Sequence, residues 1–332
     1  MNPPKNQHYL PQVYLKQFVN SQHKLYTLVI KAHARAPQAK EASPKSTGCA
    51  PDYFTLTSEQ SQRRLGITDP YIVEKRYNAV AENKYGRLIP RLLKKPESIT
   101  GEEAYNLLFS LLSFKHRNPV HRYAVSDPQR MRAAFIHSLD EVNHQRSSIE
   151  PLLKEEGSNW AEFLKDGAKR FETWITDPAT PLEIQVSNFI RAYEQDGTAI
   201  HQVTKSLLTR RWFLLHTAAS LPFISSDNPG FCVDWEDQVR NLGFNQSKVF
   251  FFPLTPRFVL CIRIDQTEPF ISNCKRVWSQ FASPVQVAAI NRCSFVNSYQ
   301  RVIGQDRLAL VSVWHDMCQH WPHLLEGIRS SH

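Results

Sequence analysis

Apolar positions recur every three or four residues through the middle of the chain, and past residue 210 they give way to short aromatic and β-branched runs. Val73, Tyr77, Val80, Leu88 and Leu92 fall at helical spacing, as do Tyr105, Leu108 and Leu112 with Phe109 beside them, so each segment offers one apolar face to a core. The starts of these helices are marked by Asp69 before Pro70, Thr100 three residues before Glu103, Asp127 before Pro128, Asn159 before Glu162, and Thr180-Pro181 with Glu183. Each combines a side-chain acceptor for free first-turn amides with a residue suited to that turn. Helices are predicted at about 70–94, 101–117, 128–145, 159–176 and 181–209. Upstream, a short helix over 11–19 and a strand over 25–30 precede two polar stretches, 32–51 and 58–67, which read as loops with Asp52-Tyr53-Phe54-Thr55 between them. Downstream, 211–217, 222–225, 230–235, 248–252 and 257–264 read as strands, followed by a helix over 284–297 and a helical tail. The pattern predicts an α+β fold: a helical middle region, about 70–209, packed with a mostly antiparallel C-terminal β-sheet, about 210–303. One unit over 7–303 with a C-terminal helical tail over 304–332 is the expected organisation.

Composition changes this picture little. A chain of 332 residues with 42% hydrophobic and 21% charged residues is ordinary globular material, long enough for a large core. The apolar runs around Val249–Leu254 and Phe258–Ile264 are too short to cross a bilayer, and Met1-Asn2-Pro3-Pro4-Lys5 lacks the apolar stretch of a secretion signal, so no membrane partner and a cytoplasmic location are expected. Cysteines at 49, 232, 261, 274, 293 and 318 form no C-x-x-C pair and read as reduced thiols. With 11 glycines and neither a phosphate-cradling loop nor a nucleophile elbow, cofactor folds built on such loops are disfavoured. The net charge of +9 draws polyanions, which makes nucleic acid a candidate partner, although the excess is spread thinly; a protein partner is not specified.

Two signatures far apart each set an ionisable side chain beside proline and large apolar residues: His8-Tyr9-Leu10-Pro11 with Tyr14-Leu15 and Phe18, and Phe223-Ile224-Ser225-Ser226-Asp227-Asn228-Pro229. Together with Lys24-Leu25-Tyr26, Asp52-Tyr53-Phe54, Glu74, Arg117-Asn118-Pro119 with Arg122, Arg211-Trp212, Phe252-Pro253-Leu254-Thr255-Pro256 and Asn291, they give a chain that resembles the bacterial family catalogued as domain of unknown function 4238 (DUF4238) over roughly residues 7–303. Glu82 stands where a second helix acid of that pattern would fall, with its register to Glu74 open. The loop at 32–51 and the tail beyond Gly304 depart from the pattern. The resemblance implies a set of matched polar residues and no activity, since the family is named for its lack of an assigned function.

If those matched residues converge, His8, Asp52, Glu74 and Asp227 are the catalytic candidates. Asp52, Glu74 and Asp227 would supply oxygen ligands for Mg²⁺ or Mn²⁺, with His8 or Glu74 as base. Arg117, Arg122, Ser226 and Asn228 would contact substrate, the arginines clamping a phosphate. That set describes a metal-dependent hydrolase of nucleic acid or another phosphodiester. Two alternatives stand beside it: a non-catalytic nucleic-acid- or protein-binding or sensor module, and a metal-free hydrolase or transferase acting on a small molecule. Every residue also has a structural use. His8 can bond backbone at a helix entry, Asp227-Asn228 can form an Asx turn, Glu74 suits the positive end of a helix, and Arg117 and Arg122 can cap carbonyls or pair with acids around the break at Pro119. The spacing of Arg117 and His121 across Pro119 is too tight for a helical ribonuclease pair, and Pro322 disfavours a zinc site from His315, Asp316, Cys318, His320 and His323.

Overall fold

The computed structural model describes residues 6–30, 38–234, 244, 247–271 and 273–322. From the N-terminus come β1 (Asn6–His8), α1 (Gln12–Leu15) extended by a 3₁₀ turn (Lys16–Phe18), β2 (Leu25–Val29), β3 (Lys40–Ala42), β4 (Cys49–Pro51) and α2 (Glu59–Leu65). A π-helical stretch, Val73–Asn78, runs directly into α3 (Ala79–Lys94); α4 (Gly101–Arg117), α5 (Pro119–Val125), α6 (Pro128–His144), α7 (Arg146–Glu155), α8 (Trp160–Ile175), α9 (Thr180–Glu194) and α10 (Ala199–Leu208) follow. The remainder is β5 (Arg210–His216), β6 (Ser225–Ser226), β7 (Phe231–Val233), β8 (Val249–Thr255), β9 (Phe258–Thr267), β10 (Val277–Phe281), α11 (Pro284–Val296), β11 (Arg301–Gly304) and α12 (Arg307–His320).

The protein is α+β, and its strands form three sheets with the orders β10-β5-β9-β8-β7, β3-β2-β11-β6 and β1-β4. Every pairing is antiparallel except β5 with β10. Several expectations need correction. The C-terminal strands do not form one sheet by themselves, because β2, with β3 on its other side, pairs with β11, which in turn pairs with β6. The stretch 32–51 carries β3 and β4, and 58–67 contains α2, whose Ser58 side chain accepts from the Ser61 amide while Gly66, at φ +64°, closes the C-terminus. The expected helix over 181–209 is two helices separated at Gly197, which takes φ +85°. The strands β10 and β11 and the helix α7 carry too little pattern of their own to have been predicted. Residues 31–37, Trp235 and the tail from His323 onward lie outside the described residues.

Most predicted caps hold, but Thr180 is the first residue of α9 and not its cap, its hydroxyl donating to the Trp174 carbonyl. Thr100 and Glu103 form a reciprocal capping box, and Asp127 and Asn159 accept the amides of Arg130 and Glu162. Asn118 does double duty: it ends α4 and caps α5 by accepting the His121 amide at 2.9 Å, with Pro119 in the first turn where no amide is needed. The chain therefore turns sharply at Arg117 without a loop.

One apolar cluster joins α1, α3, α4 and α9 to Trp212, Phe250, Phe252 and Ile262 of the large sheet, and a second lies between α11, α12 and the other face of the strands. Tyr14 is fully buried between them and ties the N-terminal helix to the sheet, its hydroxyl meeting Ser225 and donating to the Pro253 carbonyl at 2.9 Å. By contrast α6, α7 and α8 contribute only Met131 and Trp160 to buried positions. Among the described residues no helix is long and apolar enough to cross a membrane.

Candidate functional site

Arg117 is the hub. It is completely buried at the end of α4, donates to Glu82 Oε1 on α3 at 2.8 Å and to the main-chain carbonyl of His8, and lies over the Phe54 ring at 5.9 Å. The next residue continues the connection. Asn118 Nδ2 donates to Asn228 Oδ1 at 2.8 Å, and Asn228 Nδ2 donates to the Asn297 carbonyl at 2.7 Å. Beside it, the Asp227 carboxylate accepts the amides of Tyr299, Gln300 and Arg301 at 2.7, 2.9 and 3.0 Å. Burial raises the Asp227 carboxyl to about 6, with those amides and the Arg301 charge pulling it back. Ser226 Oγ accepts the Asn228 amide at 3.2 Å. Distant sequence signatures thus meet at one junction, and most of their polar atoms are used in holding it together.

On the α3 side, the π-helical turn sets the geometry. Residues eight apart on a regular α-helix stand roughly 80° apart around the axis. Bonding from i to i+5 advances each residue by less, so Glu74, Asn78 and Glu82 come closer to one line. Asn78 donates to Glu74 Oε2 at 2.6 Å, and its own Oδ1 is buried without a partner among the described residues, as is Arg117 Nε. His8 faces this row. Its Nε2 donates to the Lys45 carbonyl at 3.1 Å, an acceptor that assigns the proton to Nε2 and leaves Nδ1 as the basic nitrogen, 3.5 Å from Gln12 Nε2. Burial lowers the His8 pKa; the Lys45 carbonyl, Glu74 and Glu82 oppose that, and Arg117 adds to it. The imidazole is therefore neutral at pH 7 and backed by two acids.

A surface of tyrosines and arginine adjoins it. The Arg122 guanidinium sits 3.8 Å from the centre of the Tyr53 ring, donating to Gln185 Oε1 and to the Tyr53 carbonyl at 2.6 Å each. Tyr9, next to His8, packs on Tyr53 at 5.3 Å, and Tyr123, 60% exposed, stacks on Tyr299 at 6.1 Å.

The family description "Protein of unknown function (DUF4238)" matches residues 6–307, a span that contains every residue named above. The chain belongs to the DUF4238 family. No curated protein and no solved structure matches it.

Within this DUF4238 protein the candidate residues divide. His8, Glu74 and Arg117 are gathered with Glu82, and Ser226, Asp227 and Asn228 join the same junction from the sheet side through Asn118. Asp52 is not gathered with them: it is an exposed turn residue at φ +47° whose carbonyl accepts the Thr55 amide at 3.0 Å. Among the described residues no group of three or more His, Cys, Asp or Glu side chains is placed to hold a metal ion, so Asp52, Glu74 and Asp227 do not share a site. In the tail, Asp316 pairs with Arg292 at 3.1 Å and lies 3.9 Å from His320, while His323 is outside the described residues. Asn78, Gln185, Tyr123 and Tyr299 are absent from the sequence-based candidates, and Asn118 enters there only as part of the Arg117-Asn118-Pro119 pattern. Two signals could have found some of them: an asparagine four residues after Glu74, and an asparagine before Pro119.

Beside the junction, His116 and His121 stack at 4.2 Å, and burial lowers their pKa values to about 3 and about 4, with neighbouring Lys115 adding to both. Both groups are depressed below the ordinary value near 6.5, so the stability they contribute is present above pH 6.5 and is lost as pH falls toward 4. Asp227 has the opposite sign: its contribution is present below its ordinary 3.8 and lost as pH rises through about 6. Two larger shifts outweigh one smaller one, so urea unfolding is expected to show falling stability from pH 6.5 to 4. The variant His116→Gln/His121→Gln should flatten that slope; an unchanged slope would place the titration elsewhere.

Proposed function

We propose that this protein cleaves a nucleic-acid phosphodiester, with His8 as general base. The observation that carries the reading is a neutral imidazole, pinned through Nε2–H to the Lys45 carbonyl, near Glu74 and Glu82 and next to a half-buried cluster of Tyr53, Arg122 and Tyr299 from which Tyr123 is exposed. An attacking hydroxyl gives its proton to Nδ1 as its oxygen bonds to phosphorus; the ester oxygen leaves with the bonding pair and recovers a proton from the imidazolium. The two carboxylates favour the imidazolium in between through their charge alone, since Nε2–H is held by the Lys45 carbonyl. Tyr123, 60% exposed and stacked on Tyr299, offers a π face on which an unpaired base stacks, which favours a single-stranded substrate, and the +9 net charge attracts it. No step here runs through Mg²⁺ or Mn²⁺, because the expected carboxylate ligands are not assembled.

The test is cleavage of labelled single-stranded RNA and DNA in EDTA and in added Mg²⁺ or Mn²⁺. His8→Ala and Glu74→Gln should each keep the native circular dichroism and lower the rate by about 10²–10⁴-fold. Wild-type protein that cleaves neither polymer in any of these buffers refutes the proposal. Activity abolished by EDTA and restored by Mn²⁺ would return the ion to the mechanism.

A second reading, a non-catalytic nucleic-acid-binding module, is favoured by the fact that Ser226, Asp227, Asn228 and Arg117 spend their polar atoms on the fold. It is distinguished by salt-dependent binding that Tyr123→Ala weakens and His8→Ala leaves unchanged, with no cleavage by wild type.

A further inference from the structure

The outer strand of a sheet presents main-chain groups with which another strand can pair, and folded chains blunt such edges by burial or charge. In the two larger sheets the outer strands are β10 and β7, and β3 and β6. The residues of β6 and β7 are buried, and β3 carries Lys40 and Glu41. By contrast β10, Val-Trp-Ser-Gln-Phe, has neither charge nor proline, and its last three residues are exposed.

The hydrogen bonds around β10 show which of its groups are open. The Ala282 amide donates to the His216 carbonyl at the end of β5 at 2.8 Å. Alternate residues of a strand face the same neighbour, so Gln280 and Trp278 also bond towards β5, while Val277, Ser279 and Phe281 turn their amides and carbonyls outward. Lys275, in the same outward phase, donates to the Ile99 carbonyl at 2.8 Å. Beyond that contact, among the described residues, no strand pairs with the outer side of β10 and nothing accepts from the Ser279 and Phe281 amides. Exposed apolar side chains lie at the same end of the strand. Phe281, 56% exposed, stands edge-on to His216, Val285 in the first turn of α11 is 75% exposed, and Leu221 is exposed in the turn that follows β5.

We infer that β10 pairs antiparallel with β10 of a second copy of this chain, about a two-fold axis at Gln280. In that register Ser279 of each copy stands opposite Phe281 of the other. Each such pair exchanges both of its N–H···O=C bonds, which matches every open main-chain group of the exposed segment. Gln280 meets its own counterpart, a neutral amide that both donates and accepts, so no like charges are opposed. The two Phe281 rings become diagonal neighbours on one face and leave water together. This segment is its own complement, which assigns the edge to a second copy and gives the self-matching contact of a two-fold dimer. The dimer neither requires nor predicts the chemistry at His8.

Sedimentation velocity of the full chain, from about 1 to 200 µM, tests it. Wild type should pass from monomer to dimer within that range, with a Kd of about 10–100 µM, as suits a small interface. Ser279→Pro removes an outward N–H that the monomer does not use, and Phe281→Lys sets an ammonium beside the axis. Each should weaken association at least about tenfold and keep the circular dichroism of wild type. Leu152→Lys, at a similarly exposed apolar position on α7, should associate as wild type does. Wild type that stays monomeric throughout, a dimer that survives both β10 variants, or one that Leu152→Lys breaks would overturn the assignment.

Discussion

Asp227→Ala should lose about 3–5 kcal/mol of folding stability, because it removes a buried carboxylate that is the shared acceptor of three part-buried amides. Those amides belong to Tyr299, Gln300 and Arg301, the residues that enter and begin β11, so the loss falls on the strand that joins the N-terminal hairpin to β6. Asp227→Asn should lose nearly as much. One of its two oxygens becomes an NH₂ that faces amide donors, and the repulsion replaces a bond. Urea unfolding is the measurement, with Asp140→Ala on α6 as a control expected within about 0.5 kcal/mol of wild type, since its side chain is exposed. A loss below about 1 kcal/mol at Asp227 would mean that the carboxylate is not what holds this connection.

The Arg117–Glu82 pair should show an asymmetry set by burial. Glu82→Ala leaves a fully buried guanidinium, which cannot shed its proton, without its counter-charge, and is expected to lose about 3–5 kcal/mol. Arg117→Met leaves Glu82, 27% exposed, able to draw water, and fills much of the same volume with an apolar chain; only the His8 carbonyl is stranded, so about 2–3 kcal/mol is expected. The double variant should recover part of the Glu82→Ala loss, and the double-mutant cycle reports the coupling. If Arg117→Met proves the more damaging change, the arginine matters through packing and the His8 contact more than through its charge on Glu82. In that case β1 would be held chiefly by the guanidinium's bond to the His8 carbonyl, and His8→Ala would leave that bond in place because it involves main chain alone.

These two residues also show why the two centres differ in kind. Asp227 and Arg117 shape the junction and are saturated by it, whereas His8 keeps a basic nitrogen and Glu74 keeps one oxygen outside the Asn78 bond. The proposed chemical step falls to the second pair. The first pair sets where that pair stands.

What could be read from the amino-acid order alone is what is decided within about four residues of chain. The Thr100–Glu103 box, the caps at Asp127 and Asn159 and the turn at Pro119 link a side chain to an amide three positions on, so residue types at that spacing suffice. Helical periodicity over 79–117 and the alternation to short strands past 210 are likewise local, and they specify an α+β chain. Tertiary structure decided everything that depends on closing long loops. Asp227 finds its donors 72 to 74 residues away, Arg117 finds His8 109 residues away, and β2 finds β11 across most of the chain. No side chain announces such a partner, because any buried carboxylate would accept from any three amides that packing brings to it. Nor was the π turn over 73–78 legible in the residue order, and through it the spacing of Glu74 and Glu82 acquires the alignment that the one-dimensional count left open.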